Sequence, residues 1–155
     1  MKTPKRFIVI DDDPICVMIC KTMIKEALSK LDIQIFNGAE SGLAYIKNEY
    51  AKNDDYISTV LFLDINMPTF NGWQFLESFE KLGKKIKEQI KIYMLSSSID
   101  DRDISKAKSD LNVVDYISKP ITVKKVLQII MNVASGCAFR EMIPTQPIII
   151  PSHAA

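Results

Sequence analysis

Short apolar runs alternate along this chain with longer stretches in which apolar residues recur every three or four positions, and turn residues mark the changes. Phe7-Ile8-Val9-Ile10 is a continuous apolar run that stops at Asp11, as expected of a strand covered on both faces. Pro14 can open a helix, and from about 14 to 31 Val17, Cys20, Ile24, Ala27, Leu28 and Leu31 share one helical face. Ile33 to Phe36 reads as a second strand and Ser41 to Ala51 as a second helix. Thr59 to Leu63 is a third strand that ends, like the first, at an aspartate, Asp64. The stretch from Asn66 to Gly72, with Pro68 and Asn71-Gly72, is turn chemistry, and a third helix starts near Trp73 and ends by Gly83. Ile90 to Leu95 is a fourth strand, followed by Ser96-Ser97-Ser98. A fourth helix, about Asp101 to Leu111, aligns Ile104, Ala107 and Leu111, and Val113 to Ile117 is a fifth strand before Lys119-Pro120. Thr122 caps a fifth helix carrying Val123, Val126, Leu127, Ile130 and Ala134, which Gly136 ends.

Each strand-to-strand connection contains a helix and exceeds the dozen or so residues a parallel crossover needs. The expectation is an α/β domain over residues 5–135: a five-stranded, doubly wound parallel sheet with five helices. Residues 136–155 break the pattern with Pro144, Pro147 and Pro151 around Ile148-Ile149-Ile150. They read as a short tail, expected to be disordered rather than folded back, and not as an effector domain.

Composition narrows the classes. At 155 residues, with 47% hydrophobic and 25% charged residues, the chain suits one soluble domain. Its formal net charge of +1 removes the broad positive field that a grip on nucleic acid requires. Cys16, Cys20 and Cys137 are too few for a disulfide framework and lack the partners of a zinc site. The amino-terminal apolar run is too short for a signal peptide or a membrane span, so a reduced, cytoplasmic setting is expected, with no membrane partner.

In open parallel sheets, ligands bind outside the carboxyl ends of the strands, so the residues just after each strand carry the chemistry. The first strand delivers Asp11, Asp12 and Asp13, the third Asp64, the fourth Ser96, and the fifth Lys119 followed by Pro120. Carboxylates gathered this closely repel one another and call for a cation, and hard oxygen ligands suit Mg²⁺. A lysine facing the acids and a serine hydroxyl suit phosphoryl oxygens. Asp13 reads as the cap of the helix opened by Pro14 rather than as a third metal ligand.

The set Asp11-Asp12, Asp64 with Asn66-Met67-Pro68 and Asn71-Gly72, Ser96, and Lys119-Pro120 resembles the response-regulator receiver domains of two-component phosphorelay systems, over about residues 5 to 135. Each motif is common alone; together, in this order and at strand ends, they are specific. The resemblance implies a flavodoxin-like fold with strand order 2-1-3-4-5, an order taken from the family and not from the pattern. It implies that Asp64 is the phosphoacceptor, and that Mg²⁺, or Mn²⁺ in its place, is held by Asp11, Asp12, Asp64 and the backbone carbonyl of Asn66. Lys119 would pair with phosphoryl oxygens, aimed by a cis peptide at Pro120. Ser96 would move onto the phosphoryl group, making room for Tyr116 to rotate inward, although Tyr116 also reads simply as a strand aromatic. Asn66 and Ser98 occupy positions that tune phosphoryl lifetime in similar domains.

Ile15, Met18, Ile19 and Met23 lie off the buried stripe of the first helix, on which similar receivers dock their kinase or phosphotransfer protein, and Ile15, Met18 and Ile19 are the expected partner contacts. Ile129, off the stripe of the fifth helix, suits an output or dimer face or a place under the tail. The expected protein is a single-domain switch, monomeric or weakly dimeric, phosphorylated by a sensor histidine kinase or histidine phosphotransfer protein and acting on an unknown downstream protein. It is not expected to be an enzyme on a diffusible substrate. An aspartate-nucleophile, Mg²⁺-dependent phosphatase would need an acid two residues after Asp64, where Asn66 stands. A receiver-like binding module that works without phosphorylation is disfavoured by the complete acceptor set.

Overall fold

The apolar runs become the strands of one parallel sheet. The computed structural model describes residues 3–136. In it β1 (Arg6–Ile10), α1 (Pro14–Ala27), β2 (Asp32–Phe36), α2 (Ala39–Lys52), β3 (Thr59–Asp64), α3 (Gly72–Glu80), α4 (Lys84–Lys87), β4 (Ile90–Ser96), α5 (Asp101–Ser109), β5 (Val113–Ser118) and α6 (Val123–Ser135) follow in turn. The strand order is β2-β1-β3-β4-β5, all parallel. It matches the order that the resemblance implied.

Period-two alternation within the apolar runs builds two cores, one on each face of the sheet. Ile8, Ile10, Leu61, Leu63, Ile92 and Met94 pack on one face with Ile46 of α2 and Phe75 and Phe79 of α3. Phe7, Val9, Val60, Phe62, Tyr93 and Leu95 pack on the other with Cys20 and Ile24 of α1 and Val126 and Ile130 of α6. Each fully buried Phe or Leu contributes about 2 kcal/mol, so the central strands are the most firmly held part of the chain. Their carboxyl ends form a rigid platform for the residues that follow them.

Several expectations need correction. Among the described residues there are six helices, not five, because a single turn, α4, follows α3 after Gly83. The first helix stops at Ala27 rather than Leu31, with the Leu28 N–H closing on the Ile24 carbonyl. Ile129 is 1% exposed and belongs to the core, so it offers no output or dimer face, whereas Leu127, expected on the buried stripe, is 42% exposed. Leu111 lies beyond α5 and is exposed. The expected tail lies outside the described residues, apart from Gly136, whose left-handed backbone (φ 69°) ends α6. No described helix is long and apolar enough to cross a membrane.

Candidate functional site

The chain leaves β1 for β2 on one side and crosses back to β3 on the other, so the order reverses between β1 and β3. A crevice opens at their carboxyl ends, where open α/β sheets bind ligands. Asp11 follows β1 and Asp64 ends β3; both are buried, and Asp12 is exposed beside them. One carboxylate oxygen from each of these three residues lies within 4.8 Å of the others. Lys119, after β5, reaches into the group. Its Nζ lies 2.7 Å from Asp11 Oδ2 and 3.1 Å from Asp64 Oδ1.

Local structure holds each group in place. The second Asp11 oxygen accepts the Asp13 N–H at 2.9 Å. Asp13 turns outward to cap α1, accepting the Ile15 N–H at 2.9 Å, with Pro14 in the first turn. Behind Asp64, α3 starts against the strand end itself. The Gly72 N–H donates to the Ile65 carbonyl, and a Cβ at Gly72 would lie 2.5 Å from the Asp64 carbonyl oxygen, so only glycine fits. Asn71 and Gln74 close a reciprocal capping box over that turn. The Lys119 N–H donates to the Ser96 carbonyl, and the Lys119-Pro120 peptide is cis.

The electrostatics are those of a site with more negative than positive charge. Burial pushes the Asp64 carboxyl up, and the Asp11 charge adds to this; Lys119 and a hydrogen bond from the Asn66 backbone oppose it. Burial works to lower Lys119, but its bonds to Asp11 and Asp64 outweigh this and hold its pKa raised. The amine therefore stays charged throughout the physiological range. Three close carboxylates with one ammonium form a hard-oxygen donor set that suits a divalent cation.

The other candidates fall at increasing distance from this centre. Ser96 is buried at the end of β4, and its hydroxyl oxygen accepts the Ser98 N–H at 3.0 Å. Tyr116, half-buried on β5, donates its hydroxyl to the Ser98 carbonyl at 2.9 Å. The side chain of Asn66 is exposed. Ile15 and Met18 are exposed on α1, but Ile19 and Met23 are half-buried against the core, so only two of the expected contacts present a free apolar surface. Ile19 instead lines a cavity of about 210 Å³ beside Lys119, together with Cys16, Cys20 and Ile121. Cys20 reads as a helix apolar in the sequence, which gives no sign of a cavity. Burial pushes the Cys20 thiol up to about 12, so it is not nucleophilic. Trp73 lines a second groove, between α3 and α5, with the Lys106 Nζ 4.3 Å from its ring centroid.

The family model described as the response regulator receiver domain matches residues 7–131. A two-component response regulator of Arabidopsis thaliana, ARR2, is 27% identical over 124 residues, covering 80% of this chain and 17% of its own length. A hybrid signal transduction histidine kinase of Dictyostelium discoideum is 28% identical over 126 residues, covering 81% of this chain and 7% of its own. The chain thus spans less than a fifth of either curated relative. Among solved structures, a two-component response regulator from Cytophaga hutchinsonii matches with a TM-score of 0.73 and 28% identity, over 84% of this chain and 99% of that one. A response regulator receiver protein from Dyadobacter fermentans shares the fold, with a TM-score of 0.74 at 22% identity, over 83% and 97%.

Proposed function

This chain belongs to the response regulator receiver domain family, and from that premise we propose that it is a phosphorylation-controlled switch whose acceptor is Asp64. The donor is a sensor histidine kinase or a histidine phosphotransfer protein, and the output is a change in the domain's own surface. The observation that carries this reading is the Lys119 ammonium bonded to both Asp11 and Asp64 at the point where the strand order reverses.

A carboxylate oxygen of Asp64 attacks the phosphorus of a phosphohistidine. The new O–P bond forms as the P–N bond breaks, and the electron pair leaves with the imidazole nitrogen. Lys119 then pairs with a phosphoryl oxygen, and the Ser96 hydroxyl donates to another. Asp11, Asp12 and Asp64, with the Asn66 carbonyl, would hold Mg²⁺ or Mn²⁺, which supplies neutralisation of the charge on the transferring group. Exchanging Asn66 or Ser98 changes the rate at which the acyl phosphate is lost. Ser96 moving onto the phosphoryl group draws Tyr116 inward, and the surface formed by α5, β5 and α6 changes with it.

Ile15 and Met18 form the contact for the donor protein, with the adjoining cavity at Ile19 receiving an apolar side chain from it. The domain transfers the phosphoryl group to and from itself in the cytoplasm, rather than turning over a diffusible substrate. The test is intact-mass measurement after incubation with a small phosphodonor. A gain of one phosphoryl group that needs Mg²⁺ and disappears with a chelator supports the reading, and no gain overturns it.

A further inference from the structure

One residue joins the phosphoryl-responsive end of β4 to α5. Ser98 donates its backbone N–H to Ser96 Oγ at 3.0 Å and accepts the Tyr116 hydroxyl on its carbonyl at 2.9 Å. Its own hydroxyl donates to Asp103 Oδ2 at 2.9 Å, while the same oxygen accepts the Asp100 N–H at 3.2 Å. Asp103 stands in the first turn of α5, and Lys106 of that helix covers the Trp73 ring. A continuous path therefore runs from Ser96 through Ser98 and Asp103 into α5, and Trp73 sits where movement of α5 would be felt.

The start of α5 does not need Asp103 for its own sake. Asp100 caps the helix by accepting the Arg102 N–H, and Asp101 already places a negative charge in the first turn. The Asp103 bond to Ser98 comes in addition, and as a bond to a carboxylate it is stronger than a neutral one. Ser98 cannot shift without its carbonyl, which holds Tyr116, and its hydroxyl, which holds Asp103, shifting too.

We infer that Asp103 is a positioning residue of the phosphoryl switch: by gripping the Ser98 hydroxyl it makes α5 follow Ser96 and fixes the carbonyl that holds Tyr116. The inference rests on phosphoryl acceptance at Asp64. It concerns how the signal leaves the site, not the transfer itself, and Asp103 touches none of the reacting groups.

The experiment follows two signals in the full chain. Intact mass with Mg²⁺ and a small phosphodonor reads the chemistry. Trp73 emission and amide exchange in α5, with Mg²⁺ and beryllofluoride as the phosphoryl analogue, read the helix. Asp103→Ala is expected to keep the mass gain while the Trp73 response falls by about threefold or more. Asp103→Asn, which can still accept from Ser98, is expected to restore most of the response. Asp101→Ala removes a first-turn charge without touching Ser98 and is expected to respond like the wild type. Ser98→Ala cuts the same bond from the other side and should reproduce the reduced Trp73 response of Asp103→Ala to beryllofluoride, with the double variant no weaker than either. A full Trp73 response in Asp103→Ala or Ser98→Ala, an equal loss in Asp101→Ala, or a phosphorylated wild-type chain whose α5 does not respond overturns the inference alone. A wild-type chain that gains no mass overturns the function it rests on.

Discussion

Each end of the sheet carries a largely buried cation held by two carboxylates, and the two triads differ in the exposure of the acids. At the amino end, Arg6 pairs with Asp32 and Glu49, whose side chains are 38% and 34% exposed, and its guanidinium lies over Tyr45 and Tyr50. At the carboxyl end, Lys119 pairs with Asp11 and Asp64, whose side chains are only 2% and 7% exposed, with Asp12 alongside. Water stabilises the Arg6 acids, and the planar guanidinium closes that cluster on itself. The Lys119 acids have little water and share one point charge between two buried carboxylates. A closed triad holds a structure together; an undercompensated one suits a divalent cation.

The largest effect should come from removing the cation of the undercompensated triad. Lys119→Met leaves two buried acids facing each other, and is expected to lower metal-free stability by about 3 kcal/mol. Mg²⁺ should recover much of this in thermal melts, and phosphoryl acceptance by mass should slow by about 100-fold. If the loss were the same with and without Mg²⁺, the two triads would not differ as described. Arg6→Met is the matching change at the other end. With half-exposed partners it is expected to cost about 1–2 kcal/mol, independent of Mg²⁺, with no change in phosphoryl acceptance.

A smaller effect separates the acids themselves. Because burial and Asp11 hold the folded-state pKa of Asp64 raised, ionised Asp64 destabilises the metal-free fold. The penalty is absent below the ordinary carboxylate pKa and complete above the raised one, so it grows as pH rises through the folded value. Asp64→Asn is therefore expected to melt about 3 °C above the metal-free wild type near neutral pH, with the gap closing on acidification or on adding Mg²⁺. A gap that widens in acid would mean that Lys119 outweighs burial at this carboxyl. The smallest effect on the site itself belongs to the surface contacts. Alanine at Ile15 and Met18 should slow transfer from the cognate kinase by about tenfold while leaving acceptance from a small donor unchanged.

The strand-end residues were legible because each apolar run stops sharply at a polar residue on its carboxyl side, and in a parallel sheet those carboxyl ends gather at one edge, where ligands bind. Asp11, Asp64, Ser96 and Lys119 stand in that position in the fold, and the loop between Asn66 and Gly72 announces itself by its turn residues. What was less legible depends on packing. The apolar residues of α6 allow two helical phases, one burying Leu127 and the other Ile129, and contact with α1 and the sheet selects the second. The turn of α4, Lys84–Lys87, is basic and too short to show a period. Ser96-Ser97-Ser98 looks like plain loop, so the junction at Ser98 emerges only when Tyr116 and Asp103 are brought to it across the sheet edge.

The central claim is that the Asp64 carboxylate, held between Asp11 and Lys119, takes the phosphoryl group. The most direct measurement is peptide mapping of the wild-type chain and Asp64→Asn after treatment with Mg²⁺ and a small phosphodonor. The account predicts a single hydroxylamine-labile phosphoryl group on the peptide containing Asp64 in the wild type, and none anywhere in the variant. A label on another residue, or an equal mass gain in Asp64→Asn, would contradict it.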